Sequence, residues 1–215
     1  MAQTDAPVTK LLCIGRNYAK HAAEMKSNVP DEPMVFLKPP SALIGDGDAV
    51  IIPTTSKDVH HEVELVAVIG TGGKNIPQDE ALAHVDAYAV GLDMTARDLQ
   101  GEAKKDGKPW SVAKGYDTFA PLGPLEPASS IADPQDLRIR LTVNGAERQA
   151  ASTRDMIFPV AELIAYCSQI FTLEPGDLIY TGTPEGVGPV AAGDALEATV
   201  TGLPPLRVHV QQAIS

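Results

Sequence analysis

Apolar residues recur along this chain in short runs, each closed by Gly, Pro, Asn or Asp. Runs of that length, rich in β-branched residues and bounded by turn formers, predict strands. They fall at residues 10–14, 34–38, 87–92, 137–143, 178–181, 196–200 and 206–210. Residues 137–143 alternate apolar with polar, as a half-buried strand does, and Asn144-Gly145 supplies a two-residue hairpin turn. The longest run opens at His60-His61-Glu62-Val63-Glu64-Leu65 and continues through Val66, Ala67, Val68 and Ile69. Helical spacing is clearest after Pro159, where Val160, Leu163, Ile164, Cys167 and Phe171 form one stripe. Shorter helices are expected at 17–25, with Asn17 as a cap, at 79–85 and at 94–100. Repeated turn signals and few long helices predict an α+β chain that is mainly β.

Strand alternation puts Glu62 and Glu64 on one face, about 7 Å apart, and Val63 and Leu65 on the other. Two carboxylates leading into a core strand repel, and burying them unpaired would cost several kcal/mol. Either the strand begins at the surface with both acids solvated or salt-bridged, or a cation sits between them. His21 and Glu24 share a helix face. They read as a surface pair or as a general base with its orienting carboxylate. Asp93 ends a strand, where ligands gather, and Arg97 follows one helical turn later, close enough to pair with it. Gly70-Thr71-Gly72-Gly73-Lys74 lacks the spacing of a phosphate loop and reads as a hairpin turn. The basic stretch Lys104-Lys105-Asp106-Gly107-Lys108 reads as a solvated loop.

Composition narrows the classes further. At 215 residues the chain suits one large domain. Its net charge of −11 argues against nucleic acid or an anionic membrane as partner. No apolar run approaches the ~18 residues of a membrane span. The N-terminal residues carry no basic-then-apolar signal, so a cytoplasmic location is expected. Cys13 and Cys167, both in apolar contexts, read as free buried thiols.

Several segments carry more meaning together than singly: Ile14-Gly15-Arg16-Asn17-Tyr18 with His21 and Glu24; His61-Glu62-Val63-Glu64; Asp93-Met94-Thr95-Ala96-Arg97-Asp98; Trp110 with Lys114; and Thr181-Gly182-Thr183-Pro184 with Gly186. In this order the set resembles the fumarylacetoacetate hydrolase family, over roughly residues 10–210, and within it the short acylpyruvase and fumarylpyruvate hydrolase branch. The resemblance implies a mixed β-sandwich roll with a few short helices, a single catalytic domain at 10–215 behind a flexible leader at 1–9, and a homodimer. It implies a divalent metal, Mg²⁺ or Mn²⁺, held by Glu62, Glu64 and Asp93. Oxygen-only ligands agree with that choice. It further implies His21, Glu24 and Lys114 as catalytic residues, with Arg16, Arg97, Gln100 and Thr183 contacting a small anionic oxo acid.

The activity so implied is cleavage of a C–C bond in a 2,4-diketo acid such as fumarylpyruvate, in aromatic-ring degradation, with His21 activating water. An oxaloacetate decarboxylase, or an isomerase or decarboxylase of a related oxo-dioate, is the alternative. A non-catalytic oxo-acid-binding protein ranks third. Residues 26–33 are expected to act as a lid. Loops near Tyr116 and Thr183 are expected to select the acyl group.

Overall fold

The structure is a computed structural model, and it describes residues 6–24 and 29–214. Its centre is a six-stranded sheet in the order Glu126–Pro127, Val85–Leu92, Val63–Ile69, Leu178–Tyr180, Leu11–Gly15, Met34–Lys38. A five-stranded sheet runs Ala146–Ser152, Arg138–Val143, Ala195–Val200, Leu206–Gln212, Ala49–Ile52. A small sheet joins Gly188–Pro189, Val59–His61 and Thr95–Ala96, and a fourth pairs Leu43–Ile44 with Ala120–Pro121. The mainly β, mixed-sheet architecture expected from the sequence is what forms.

Patterning explains the layers. Every residue of Val63–Ile69 is buried, because the central sheet is covered on both faces. Val63, Leu65, Ala67 and Ile69 join the larger core with Leu12, Val90, Ile139 and Leu163. Val66 and Val68 face the other way, against Leu11, Cys13, Ala89 and Tyr180. Strands of the five-stranded sheet alternate buried with exposed positions, as in Leu206–Gln212, so one face packs inward and one meets water. The Asn144-Gly145 turn forms as expected, with φ of 51° and 79°. The stripe after Pro159 becomes the Val160–Ile170 helix, with Val160, Leu163, Ile164 and Cys167 buried.

Other elements differ from expectation for local reasons. The run from His60 breaks at Glu62 into Val59–His61 and Val63–Ile69, which pair in different sheets. Residues 79–85 yield only a 3-10 turn, Ala81–His84. Thr95–Ala96 is held extended against Val59–His61, so the helix expected at 94–100 begins at Arg97. That helix runs to Asp106 and ends on Gly107 at φ 66°, absorbing most of the basic stretch read as a loop. Val63–Ile69 and Val85–Leu92 do pair, but a long connection, not a tight hairpin at Gly70–Gly73, joins them. The expected lid falls partly on residues 25–28 and the leader largely on 1–5, outside the described residues.

Asn17 is not a helix cap. Its side chain is fully buried, donating to Phe158 O (3.0 Å) and Thr181 O (2.8 Å) and accepting from Phe158 N (2.8 Å). It ties the turn after Leu11–Gly15 to two loops distant in sequence. Asn17→Ala strands three buried backbone groups and should cost about 3 kcal/mol. Urea denaturation checks this; a loss below about 1 kcal/mol would mean that water replaces the amide.

Candidate active site

Three carboxylates converge where the central sheet meets the small one. Glu64 lies opposite Gly91 in the ladder, and Asp93 directly follows the Val85–Leu92 strand. Glu62 occupies the break between its two strands, where its carbonyl accepts from Asp93 N (2.8 Å). One carboxylate oxygen from each of Glu62, Glu64 and Asp93 lies within 4.8 Å of the others, and all three residues are buried. The surface reading of the Glu pair is thereby excluded.

Cations balance this charge unevenly. Lys114 Nζ lies 2.8 Å from Glu62 Oε2 and 2.6 Å from Asp93 Oδ2. Lys38 Nζ lies 2.5 Å from Asp93 Oδ1 and also donates to Met94 O and Phe119 O. Arg97 Nη2 donates to Glu62 Oε1, and Arg97 Nη1 to Gln100 Oε1 (2.8 Å). Arg97 therefore pairs with Glu62, and the i,i+4 pairing with Asp93 is not made. Glu64 receives only the Gly182 N–H (2.7 Å) and has no ion-pair partner among the described residues. Gly182 can present that N–H because its φ is 96°; a Cβ there would meet Asn17 Cβ at 2.6 Å.

The acids consequently diverge in proton affinity. Burial, with Asp93 and Glu62 adding like charge, pushes the Glu64 carboxyl well up. Burial acts on Glu62 too, but Lys114 and Arg97 outweigh it and hold that carboxyl far below the usual range. Burial would lower the Lys114 ammonium, yet Asp93 and Glu62 keep it raised. Lys38, Lys114 and Arg97 offset the cluster as a whole, but Glu64 stays unanswered among the described residues, and Asp93 Oδ1 has no aligned hydrogen bond, at an all-oxygen donor set. A hard divalent cation fits that requirement, and zinc fits it poorly.

His21, buried in the short Ala19–Glu24 helix, lies beside this cluster with Nδ1 3.4 Å from Glu24 Oε2. Glu24 is itself held by the Gly186 N–H, 3.2 Å from each oxygen. Burial lowers the His21 imidazolium despite the opposing pull of Glu62 and Glu24, leaving a neutral ring near pH 7. Arg16, Gln100, Lys104, Phe36 and Trp110 complete the cavity around His21 and the carboxylates, with a free volume of ≈ 30 Å³. All sequence-derived candidates line it except Glu24, which supports His21 from behind. Thr183 lines it with its hydroxyl committed, donating to Val63 O (2.8 Å) and accepting from Gln149 Nε2 (2.9 Å). The hydroxyl thus positions the loop, and Thr183 still lines the cavity as expected of a substrate contact.

Two participants escape a reading of the sequence, and a third is legible in it only through helical spacing. Lys38 ends an apolar strand before Pro39-Pro40, and a lysine there looks like a strand leaving the core. Gln149 sits in a polar strand, yet its amide joins His61 Nδ1 (3.0 Å), Val63 N (3.1 Å), Thr183 and Pro184 O (3.0 Å). Lys104 was legible through spacing alone, since Arg97, Gln100 and Lys104 fall on one helix face.

Known proteins resemble this chain over nearly its whole length. Residues 10–211 match the family described as fumarylacetoacetate (FAA) hydrolase C-terminal. The mitochondrial oxaloacetate tautomerase FAHD1 of Arabidopsis thaliana is 48% identical over 206 residues, covering 96% of this chain and 92% of that protein. Oxaloacetate tautomerase YcgM of Escherichia coli is 46% identical over 202 residues, covering 94% and 92%. The crystal structure of fumarylpyruvate hydrolase from Pseudomonas aeruginosa, in complex with Mn²⁺ and pyruvate, superposes with a TM-score of 0.93 at 44% identity, covering 96% and 91%. Among the described residues no helix is long and apolar enough to cross a membrane.

Proposed function

The chain belongs to the fumarylacetoacetate hydrolase family, and from that premise we propose that it interconverts the keto and enol forms of oxaloacetate or a closely related 2-oxo dicarboxylate. The observation that carries the reading is the buried Glu62–Glu64–Asp93 set with a neutral, carboxylate-supported imidazole beside it. Charge supports a dianion. Glu62, Glu64 and Asp93 are offset by Lys38, Lys114 and Arg97, so a divalent ion, Mg²⁺ or Mn²⁺, leaves a local excess of positive charge for an acidic substrate.

Bound at the three carboxylates, that ion would draw electron density from the 2-oxo group and acidify the C3 protons. The residues supply the rest. Glu24 holds the Nδ1 proton of His21, leaving Nε2 to take a proton from C3. The C3–H pair becomes the C2=C3 double bond, and the former carbonyl electrons settle on the oxygen. Lys114, whose ammonium stays protonated between Glu62 and Asp93, places positive charge beside that oxygen. Protonation of the oxygen completes the enol, with no other reactant consumed. The His21–Glu24 pair therefore suits either reaction: a base is needed at C3 as much as at water.

Hydrolysis of a C–C bond in an acylpyruvate is the second reading, favoured by likeness to the Pseudomonas aeruginosa fumarylpyruvate hydrolase. There His21 would deprotonate the water attacking the 4-oxo carbon. The deciding experiment follows enol loss, pyruvate and carbon dioxide with oxaloacetate, acetylpyruvate and fumarylpyruvate, each with Mg²⁺, Mn²⁺ or chelator. Chelator-sensitive loss of oxaloacetate enol, faster than any C–C cleavage, is the expected result. Acylpyruvate hydrolysis exceeding tautomerisation would move the protein to the hydrolase reading.

A further inference from the structure

Two cations of the cavity have no carboxylate to answer them. Lys38, Lys114 and Arg97 are each matched to an acid of the cluster. Arg16 and Lys104 line the same cavity, and neither forms an ion pair among the described residues. They reach it from different elements. Arg16 follows the Leu11–Gly15 strand at a positive φ of 60°, next to the fully buried anchor Asn17. Lys104 lies two turns beyond Arg97 on the helix face that also carries Gln100, about 10 Å along the axis. That face thus runs from a cation at the acid cluster, through an amide, to a cation at the outer end. Lys104 Nζ rests 5.0 Å from the Trp110 ring centroid, and Trp110 meets Phe36 edge-on at 5.6 Å, so its position is supported by two cavity walls.

We propose that Arg16 and Lys104 form a subsite for the second carboxylate of the substrate, and that this subsite selects 2-oxo dicarboxylates over monocarboxylates. The proposal rests on the tautomerase reading of the same site and adds the residues that choose the substrate. Partial burial, with Arg97 and Arg16 close by, pulls the Lys104 ammonium down to about 8, consistent with like charges facing one space without an anion. A carboxylate bound there relieves that repulsion and restores full protonation. Gln100, whose Oε1 accepts from Arg97, keeps its amide hydrogens for the middle of the substrate.

Titration calorimetry on the Mg²⁺-loaded protein tests this without turnover, using L-malate and L-lactate, which differ by the distal carboxylate. Wild type should bind malate well over tenfold more tightly. Lys104→Met keeps the stem on Trp110 and should weaken malate about tenfold while leaving lactate within about twofold; Lys104→Arg should restore malate. Lys105→Met, outside the cavity, should change neither. Equal weakening of both ligands by Lys104→Met, or the same malate loss in Lys105→Met, overturns the subsite. Oxaloacetate turnover with an unchanged malate preference in Lys104→Met also overturns it. A wild type that prefers malate, loses that preference in Lys104→Met and yet does not turn over oxaloacetate upholds the subsite and overturns the tautomerase reading.

Discussion

Glu64→Gln is expected to abolish divalent-metal binding and reduce turnover of every substrate to background. Glu62 and Asp93 are already paired with Lys114, Arg97 and Lys38, so the charge that draws in a cation resides mainly on Glu64. The amide keeps the shape, and it can still accept the Gly182 N–H through its oxygen, so the fold should survive. Calorimetry with Mn²⁺ should show no saturable heat, whereas retained metal binding would remove Glu64 from the ligand set. A pH effect accompanies the charge. The raised Glu64 carboxyl holds a proton in the metal-free folded state that the unfolded chain releases at an ordinary carboxylate pKa. Its contribution to metal-free stability is full below that ordinary value and is lost as pH rises through the folded value. Metal needs the ionised form, so it displaces this proton, and its apparent affinity climbs with pH over the same window. Metal at about a hundred times Kd stabilises by about 2.7 kcal/mol, or roughly 5–10 °C for a domain of this size. The Mn²⁺-induced rise in Tm should therefore be larger at pH 8 than at pH 5.5 in wild type, and absent at both in Glu64→Gln.

Much of this site is written in local pattern. The run from Val63 to Ile69 is apolar on both faces because the central sheet is covered on both sides, and its alternation correctly sends Glu64 away from Val63 and Leu65. What local pattern does not contain is partnership across the sheet. Lys38 is legible only as an odd cation at a strand end until Asp93, Met94 and Phe119 close around it. Gln149 belongs to a strand of polar residues, and its role follows from which loop happens to lie over it. Asn17 has the composition of a helix cap, but buried carbonyls at Phe158 and Thr181 compete for its amide and win. The helix expected at 94–100 slips to Arg97 because Thr95–Ala96 gains a strand partner. Each miss is a case of tertiary contact overruling a sound local preference.

His21→Ala should leave Mn²⁺ binding intact and lower tautomerisation by about 10²- to 10⁴-fold, the usual worth of a positioned general base. The ring is not among the metal-holding carboxylates, so the two properties separate in this variant as they cannot in Glu64→Gln. Decarboxylation of oxaloacetate needs an electron sink and no base at C3, so it should be nearly spared. Loss of both in equal measure would mean that His21 orients substrate instead of moving a proton. The pH profile makes the test sharper. Burial places the His21 pKa below its ordinary value, so activity should rise with pH through a limb on the acid side of neutrality and then level. Glu24 opposes that depression through its charge and its hydrogen bond. Glu24→Gln should therefore move the limb to still lower pH and cost about tenfold in the plateau rate, since the ring loses its orienting partner along with the proton affinity that partner lends. A limb that stays in place would show that Glu24 serves the Gly186 loop, through the two 3.2 Å contacts, and not the imidazole.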